Sequence, residues 1–248
     1  MRIEPTAHPG ESRDPGGPSA PATSHAWAPT FVGVSGLGNA SLLRLLTWLS
    51  PTFPVGAFAY SHGLEQAIRD GVVTDARKLT AWIETLITHG SGWTDAVLLH
   101  AAWNAADEPA LAEVADLAEA LAPSLERRRE TVSQGEAFVA AVRPWLELPP
   151  LPYPVAVGAA AGRLRIPAEP ALSAWLHAFA ANLVSVGVRA IPIGQSDAVA
   201  VLAALEQTVL GVASRAALAG ADDLGGCAFL SDIAAMRHET LQPRLFIS

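Results

Sequence analysis

The residues best placed to do chemistry are few. The chain holds seven histidines and one cysteine. His62, His89, His100, His177 and His238 lie where the helical periodicity is clear. No two of them sit at i, i+4 on one helix, and neither H-x-H nor H-E-x-x-H occurs, so a preformed helical metal site is not expected. Packed or surface histidines fit better. His238 stands between Arg237 and Glu239, but neighbours in sequence do not face each other on a helix. Ser61-His62 has no identifiable third group and no Gly-x-Ser-x-Gly elbow. Cys227 follows Gly225 and Gly226 with no base nearby, so it is not read as a nucleophile. No catalytic residue and no metal ligand is assigned.

The glycine run from Phe31 to Ser41 is the one motif that suggests a cofactor. Gly36-Leu37-Gly38 before a helix could cradle a pyrophosphate. The third glycine of that fingerprint is Ser41 here, and the second strand with its ribose-binding acid is missing. A flexible linker is the reading and no cofactor is expected. A dinucleotide-binding enzyme is kept as an alternative.

Composition narrows the classes further. The 248 residues are 50% hydrophobic and 16% charged, with a formal net charge of -8. That balance argues against a nucleic-acid binder, which carries a basic field, and a chain this apolar is not disordered throughout. A single cysteine rules out a disulfide framework. The uncharged run Pro170–Val188 just reaches the length of a membrane span. Ser173, His177, Asn182, Ser185 and many alanines dilute it, so it reads as a buried helix, with a membrane-inserted helical protein as a second alternative.

The elements that must position any site are helices. Residues 1–38 are rich in proline and glycine and read as a disordered tail, although Phe31–Ser35 has some strand character. Residues 39–248 read as one all-α domain, a bundle of roughly nine helices. The first carries Leu42, Leu43, Leu45, Leu46 and Leu49 and stops before Pro51. A second is expected from Phe58 to Asp70. Thr74 and Thr94 are expected to cap the third and fourth, and Asp107-Glu108-Pro109 opens the fifth. Glu126–Val142 follows, with Arg127-Arg128-Arg129 read as a solvated face balanced by Glu126 and Glu130. Helices over 155–164, 171–188, 195–218 and 229–237 complete the bundle, and a short tail runs from Glu239 to Ser248.

Three segments are poorly explained by packing alone: Pro54–Glu65, Ile191–Gln195, and Ser231–Thr240 with the tail Pro243–Phe246. That tail is partly apolar and terminal, which suits an arm that orders on a partner.

These segments carry a resemblance. Leu42–Glu65 contains a Leu-rich helix and then Ser-Pro-x-x-Pro-Val-Gly-x-Phe-x-Tyr-Ser-x-Gly-Leu-Glu. Ile191–Gln195 is an apolar-Pro-apolar-Gly-Gln loop. Ala234–Phe246 holds an Ala-x-Met-Arg-His-Glu-Thr run that ends in Arg-Leu-Phe. Together, in this order and spacing, they resemble the UreF family of urease accessory proteins, over about Leu42 to Ser248.

The resemblance implies an all-α cytoplasmic protein without catalytic chemistry of its own. Such proteins dimerise, bind the accessory protein UreD (also called UreH) and recruit the nickel-carrying GTPase UreG. The assembly delivers nickel to the apo-urease active site after lysine carbamylation, with GTP hydrolysis on UreG. Carried over by motif, Gly56, Tyr60, Ser61, Gly63, Glu65 and Gln195 are implied to lie near partner-facing regions. Arg237, His238, Glu239, Arg244, Leu245 and Phe246 are implied to form the C-terminal segment that docks on UreD and helps build the UreG surface. No nucleic acid and no membrane is implied. Two positions depart from the family pattern: Ile247 stands where a basic residue is frequent, and Ala57 where glycine is.

Overall fold

The computed structural model describes residues 37–247. Nearly all of the expected disordered tail, the strand-like Phe31–Ser35 and Gly36 lie outside the described residues.

Among the described residues there are ten α-helices, two single-turn 3-10 helices and no strand. The helices are α1 (Asn39–Trp48), α2 (Leu64–Arg69), α3 (Ala76–His89), α4 (Ser91–Trp103), α5 (Glu108–Ala120), α6 (Leu125–Val142), α7 (Tyr153–Arg163), α8 (Ala168–Ala190), α9 (Gln195–Ala216) and α10 (Phe229–His238). The all-α class is as expected. A βαβ nucleotide site needs strands that these residues do not supply. Gly38, the described glycine of the candidate loop, simply precedes α1 in extended conformation.

Helix starts follow local chemistry. Asp75 caps α3 by accepting from the Lys78 N–H at 2.9 Å, one residue later than the expected Thr74. Asp107 caps α5 through the Ala110 N–H, and Ser124 caps α6 through the Arg127 N–H. Thr94 caps nothing; α4 begins earlier, at Ser91. Pro170 does not delay α8, because proline needs no N–H in the first turn.

The second helix is the clearest correction. In place of one helix from Phe58 to Asp70 there is a 3-10 turn at Ala57–Ala59, an irregular stretch, and a short α2. His62 and Gly63 both have positive φ, 51° and 75°, which breaks the helix between them.

The core centres on α4, which packs against α3, α5, α7, α8 and α9. Its closest neighbour is α7. A Cβ on Gly158 would lie 2.2 Å from the Leu99 carbonyl oxygen, and one on Gly162 would lie 2.5 Å from that of Trp103. The buried alanines 156, 159, 160 and 161 continue this small surface, so the alanine content serves close helix contact. Leu79, Ile83, Leu86, Ile87, Leu172 and Leu176 fill the α3–α8 side. Trp48 meets Phe138 edge-on at 6.0 Å and joins α1 to α6.

Two helices, α8 and α9, are long and apolar enough to cross a membrane by length and composition. In α8 the apolar window is 56% buried within the protein. It contacts α9, α4, α3, α2 and α7, as a core helix does.

Candidate partner-binding end

Residues 243–247 turn back from α10 and lie as a strap against the helical body. The strap is held mainly through one carboxylate. Glu65, near the start of α2, accepts the Leu245 N–H at 2.8 Å and the Phe246 N–H at 3.0 Å. Ile247 donates its N–H to the Ala59 carbonyl at 2.7 Å. The Phe246 ring is buried, and the Arg189 guanidinium of α8 lies 4.4 Å over its centroid. Arg189 also donates to the Phe58 carbonyl at 2.9 Å. The sequence alone suits an arm that orders on a partner. In the structure three of its backbone donors and its buried ring have partners within the chain.

His238 anchors the other side. It is fully buried, with Nε2 3.0 Å from Glu65 Oε2 and Nδ1 2.8 Å from Glu126 Oε2. Its carboxylate partners come from α2 and α6, not from the adjacent Glu239, which instead accepts the Leu125 N–H at 3.0 Å. Arg244 of the strap donates to Glu126 Oε1 at 2.5 Å. Burial opposes ionisation of Glu65. The hydrogen bonds from His238, Leu245 and Phe246 outweigh it and hold the carboxyl below its ordinary value.

The α2–α10 crossing is equally tight. A Cβ on Gly63 would sit 2.7 Å from the Ala235 backbone nitrogen, and its φ of 75° suits glycine in any case. Arg237 reaches Asp70 at 2.6 Å across the same contact. Ser61 is buried beneath the turn, and the Tyr60 carbonyl accepts from Asn182 at 3.2 Å. Burial raises the Tyr60 hydroxyl above its ordinary value.

The structure therefore gathers Tyr60, Ser61, Gly63, Glu65, Arg237, His238, Glu239, Arg244, Leu245 and Phe246 at one end. Gly56 sits in the same loop with φ 73° and open space around it. Gln195 is exposed at the start of α9, one short turn beyond the Arg189 end of α8. Glu65, His238, Ser61 and Phe246 face inward and cannot touch a partner while the strap is seated. Leu245 and Arg237 face outward. Around them lie the exposed side chains of Phe58, Phe229, Leu230, Ile233, Met236 and Ile247.

Sequence reasoning missed Glu126, Asp70, Asn182 and Arg189, whose roles depend on distant segments. It also misread the basic triplet. Arg127 is buried and pairs with Asp95 at 2.5 Å and Glu130 at 3.3 Å, while His62 Nε2 lies 3.1 Å from Glu130. Those two carboxylates outweigh the opposing effect of burial and raise the Arg127 pKa. Arg128 and Arg129 are exposed, as a solvated face requires. The hint in the sequence was the spacing: Glu126, Arg127 and Glu130 share one helix face, which here turns inward. This cluster lines an apolar cavity of about 540 Å³ whose walls include Leu42, Leu46, Trp175 and Phe179. No group of three or more metal-ligating side chains occurs among the described residues.

Comparison with known proteins agrees with the motif reading. The UreF family model matches residues 73–206. "Urease accessory protein UreF" of Agrobacterium fabrum is 53% identical over 218 residues, covering 85% of this chain and 98% of that protein. The protein of the same name from Rhizobium etli is 54% identical, covering 84% and 96%. "Urease accessory protein UreF 1" of Brucella canis is 51% identical, covering 85% and 95%. With a family model over more than half its length and relatives matched almost end to end, the chain belongs to the UreF family of urease accessory proteins.

Proposed function

We propose that this chain is a non-catalytic scaffold of urease maturation. It joins UreD (UreH) and the GTPase UreG, as a homodimer in the cytoplasm, so that nickel is delivered into apo-urease. The observation that supports this best is the strap end. Ten of the twelve motif residues gather there, beside exposed Phe58, Phe229, Leu230, Ile233, Met236 and Ile247. Exposed aromatic and methionine side chains rimmed by arginine make good interface anchors. Buried Glu65, His238 and Phe246 set the strap's position, while Leu245, Arg237 and the outer face of α10 meet the partner. Leu42, Leu43 and Leu46 expose a second apolar face on α1. Two separate faces are what an adaptor with more than one neighbour needs.

Coexpression with UreD and UreG tests the proposal. The full chain should copurify with both and support urease activation. Deleting residues 242–248 should remove the complex and the activation. A deletion variant that keeps both would overturn the assignment of the strap.

A further inference from the structure

Asp95 and Arg127 also line a second cavity, of about 270 Å³, bounded by α5 and α10. Its polar walls come from three helices. Ser91 and Asp95 belong to α4, Arg127 and Thr131 to α6, and Asp232 to α10. Arg127 and Thr131 stand one turn apart and share a face of α6. Leu98, Ala118 and Leu121 supply an apolar wall. Leu121 is also exposed, so the cavity reaches solvent beside it.

Most of the polar groups there are acceptors that nothing in the described chain satisfies. Asp95 Oδ2 takes the Arg127 guanidinium, and its Oδ1 has no partner among the described residues. The Asp232 carboxylate has neither a hydrogen bond nor an ion pair among them. Thr131 is 4% exposed and its hydroxyl is equally unpartnered. Ser91 Oγ is buried without a partner. Burial, with nothing opposing it, raises the Asp232 carboxyl above its ordinary value. Arg127 is already bound to Asp95 and Glu130. Three carboxylates therefore face one guanidinium. Even a charged His62, against Glu130, leaves one negative charge without a counter-ion.

What fits is a cation rich in donors and carried on an apolar stem. An ammonium has three rotatable N–H donors and no acceptor, which suits acceptors scattered over three helices. A guanidinium's rigid fork suits two oxygens of one carboxylate instead. Leu98, Ala118 and Leu121 would cover the methylenes of the stem. Asp232 stands one turn from Phe229 and next to Ile233, both exposed on the α10 face already given to a partner.

We propose that this cavity receives the side chain of a lysine from a protein partner, with its ammonium on Asp232, Asp95 and Thr131 and its methylenes against Leu98 and Leu121. That a protein supplies the lysine rests on the scaffold reading. The cavity's preference for an alkylammonium does not, because it is tested on the chain alone.

The test is an NMR titration of the full chain with Nα-acetyl-lysine methylamide. The Ser91, Thr131 and Asp232 amides should shift saturably, with a Kd of about 1–10 mM. The norleucine analogue, which has the stem without the charge, should leave them unmoved. Asp232→Asn should weaken lysine binding about tenfold and Thr131→Val about threefold. No saturable shift would overturn the site, as would equal binding of norleucine or tighter binding of the arginine analogue. Should either variant fail to fold by circular dichroism, the probe series on the unmodified chain decides. In coexpression with UreD and UreG, Asp232→Asn should retain its partner about fivefold less than the unmodified chain. Unchanged retention, with the probe still bound by the unmodified chain, would make this a site for a free amine and overturn the partner's lysine. An unmodified chain that retains no partner would sink the scaffold reading and leave the alkylammonium result standing.

Discussion

The Glu65 carboxylate and the Phe246 amide, 181 positions apart in sequence, meet at 3.0 Å in the buried interior of one end of the molecule. Through that bond the end of the chain is tied to one of its first turns. Glu65 accepts three N–H groups in all, from Leu245, Phe246 and His238.

Replacing Glu65 with alanine should destabilise the fold by about 2–4 kcal/mol, because several buried donors lose their acceptor together. Urea denaturation measures the loss. Limited proteolysis should cut the variant within residues 239–248 much faster than the unmodified chain.

Glu65 also predicts an acid dependence. Its carboxyl titrates lower in the folded chain than its ordinary value of 4.5. Its contribution is therefore complete above that value and is lost as pH falls through the lower folded value. Below about pH 4.5 the unmodified chain should lose stability more steeply than Glu65→Gln, as followed by thermal melts at a series of pH values.

Gly158 and Gly211 form a matched pair of tests. Gly158→Ala drives a methyl group into the Leu99 carbonyl oxygen, and the α4–α7 contact must open at a cost of about 1–3 kcal/mol. Gly211 lies in α9 with nothing within 4 Å of an added Cβ. Gly211→Ala should therefore stabilise by about 0.5–1 kcal/mol through helix propensity. Chemical denaturation of both variants checks the opposite signs.

Neighbouring arginines on α6 should behave differently. Arg127→Ala leaves Asp95 and Glu130 buried without their cation and should cost about 3–5 kcal/mol. Arg128 pairs with Glu119 at the surface, and Arg128→Ala should change stability by less than about 1 kcal/mol. Equal effects in urea titrations would show that the burial of Arg127 is not what sets its weight.

Arg189→Ala removes the cation over Phe246 and the donor to the Phe58 carbonyl. A loss of about 1 kcal/mol, with faster proteolysis of the strap and little change in helix content, is expected.

Much of this protein is determined locally and can be read in one dimension. The helical periodicity of Leu79, Ile83 and Leu86, the caps at Asp107 and Ser124, and the proline breaks define an all-α chain without reference to anything distant. The three motif segments identify the family in the same way. Tertiary structure decided what those segments do. Nothing near Arg127 reveals that its face of α6 turns inward, since Glu126 and Glu130 balance it equally well in solvent. Nothing near His238 reveals Glu65 or Glu126, because both approach from other helices. The tail reads as an arm suited to a partner, and its sequence does not reveal that its amides end on Glu65. Propensity, capping and breaks act over one or two turns. Burial and the partners of a buried charge depend on which helices the folded chain brings together.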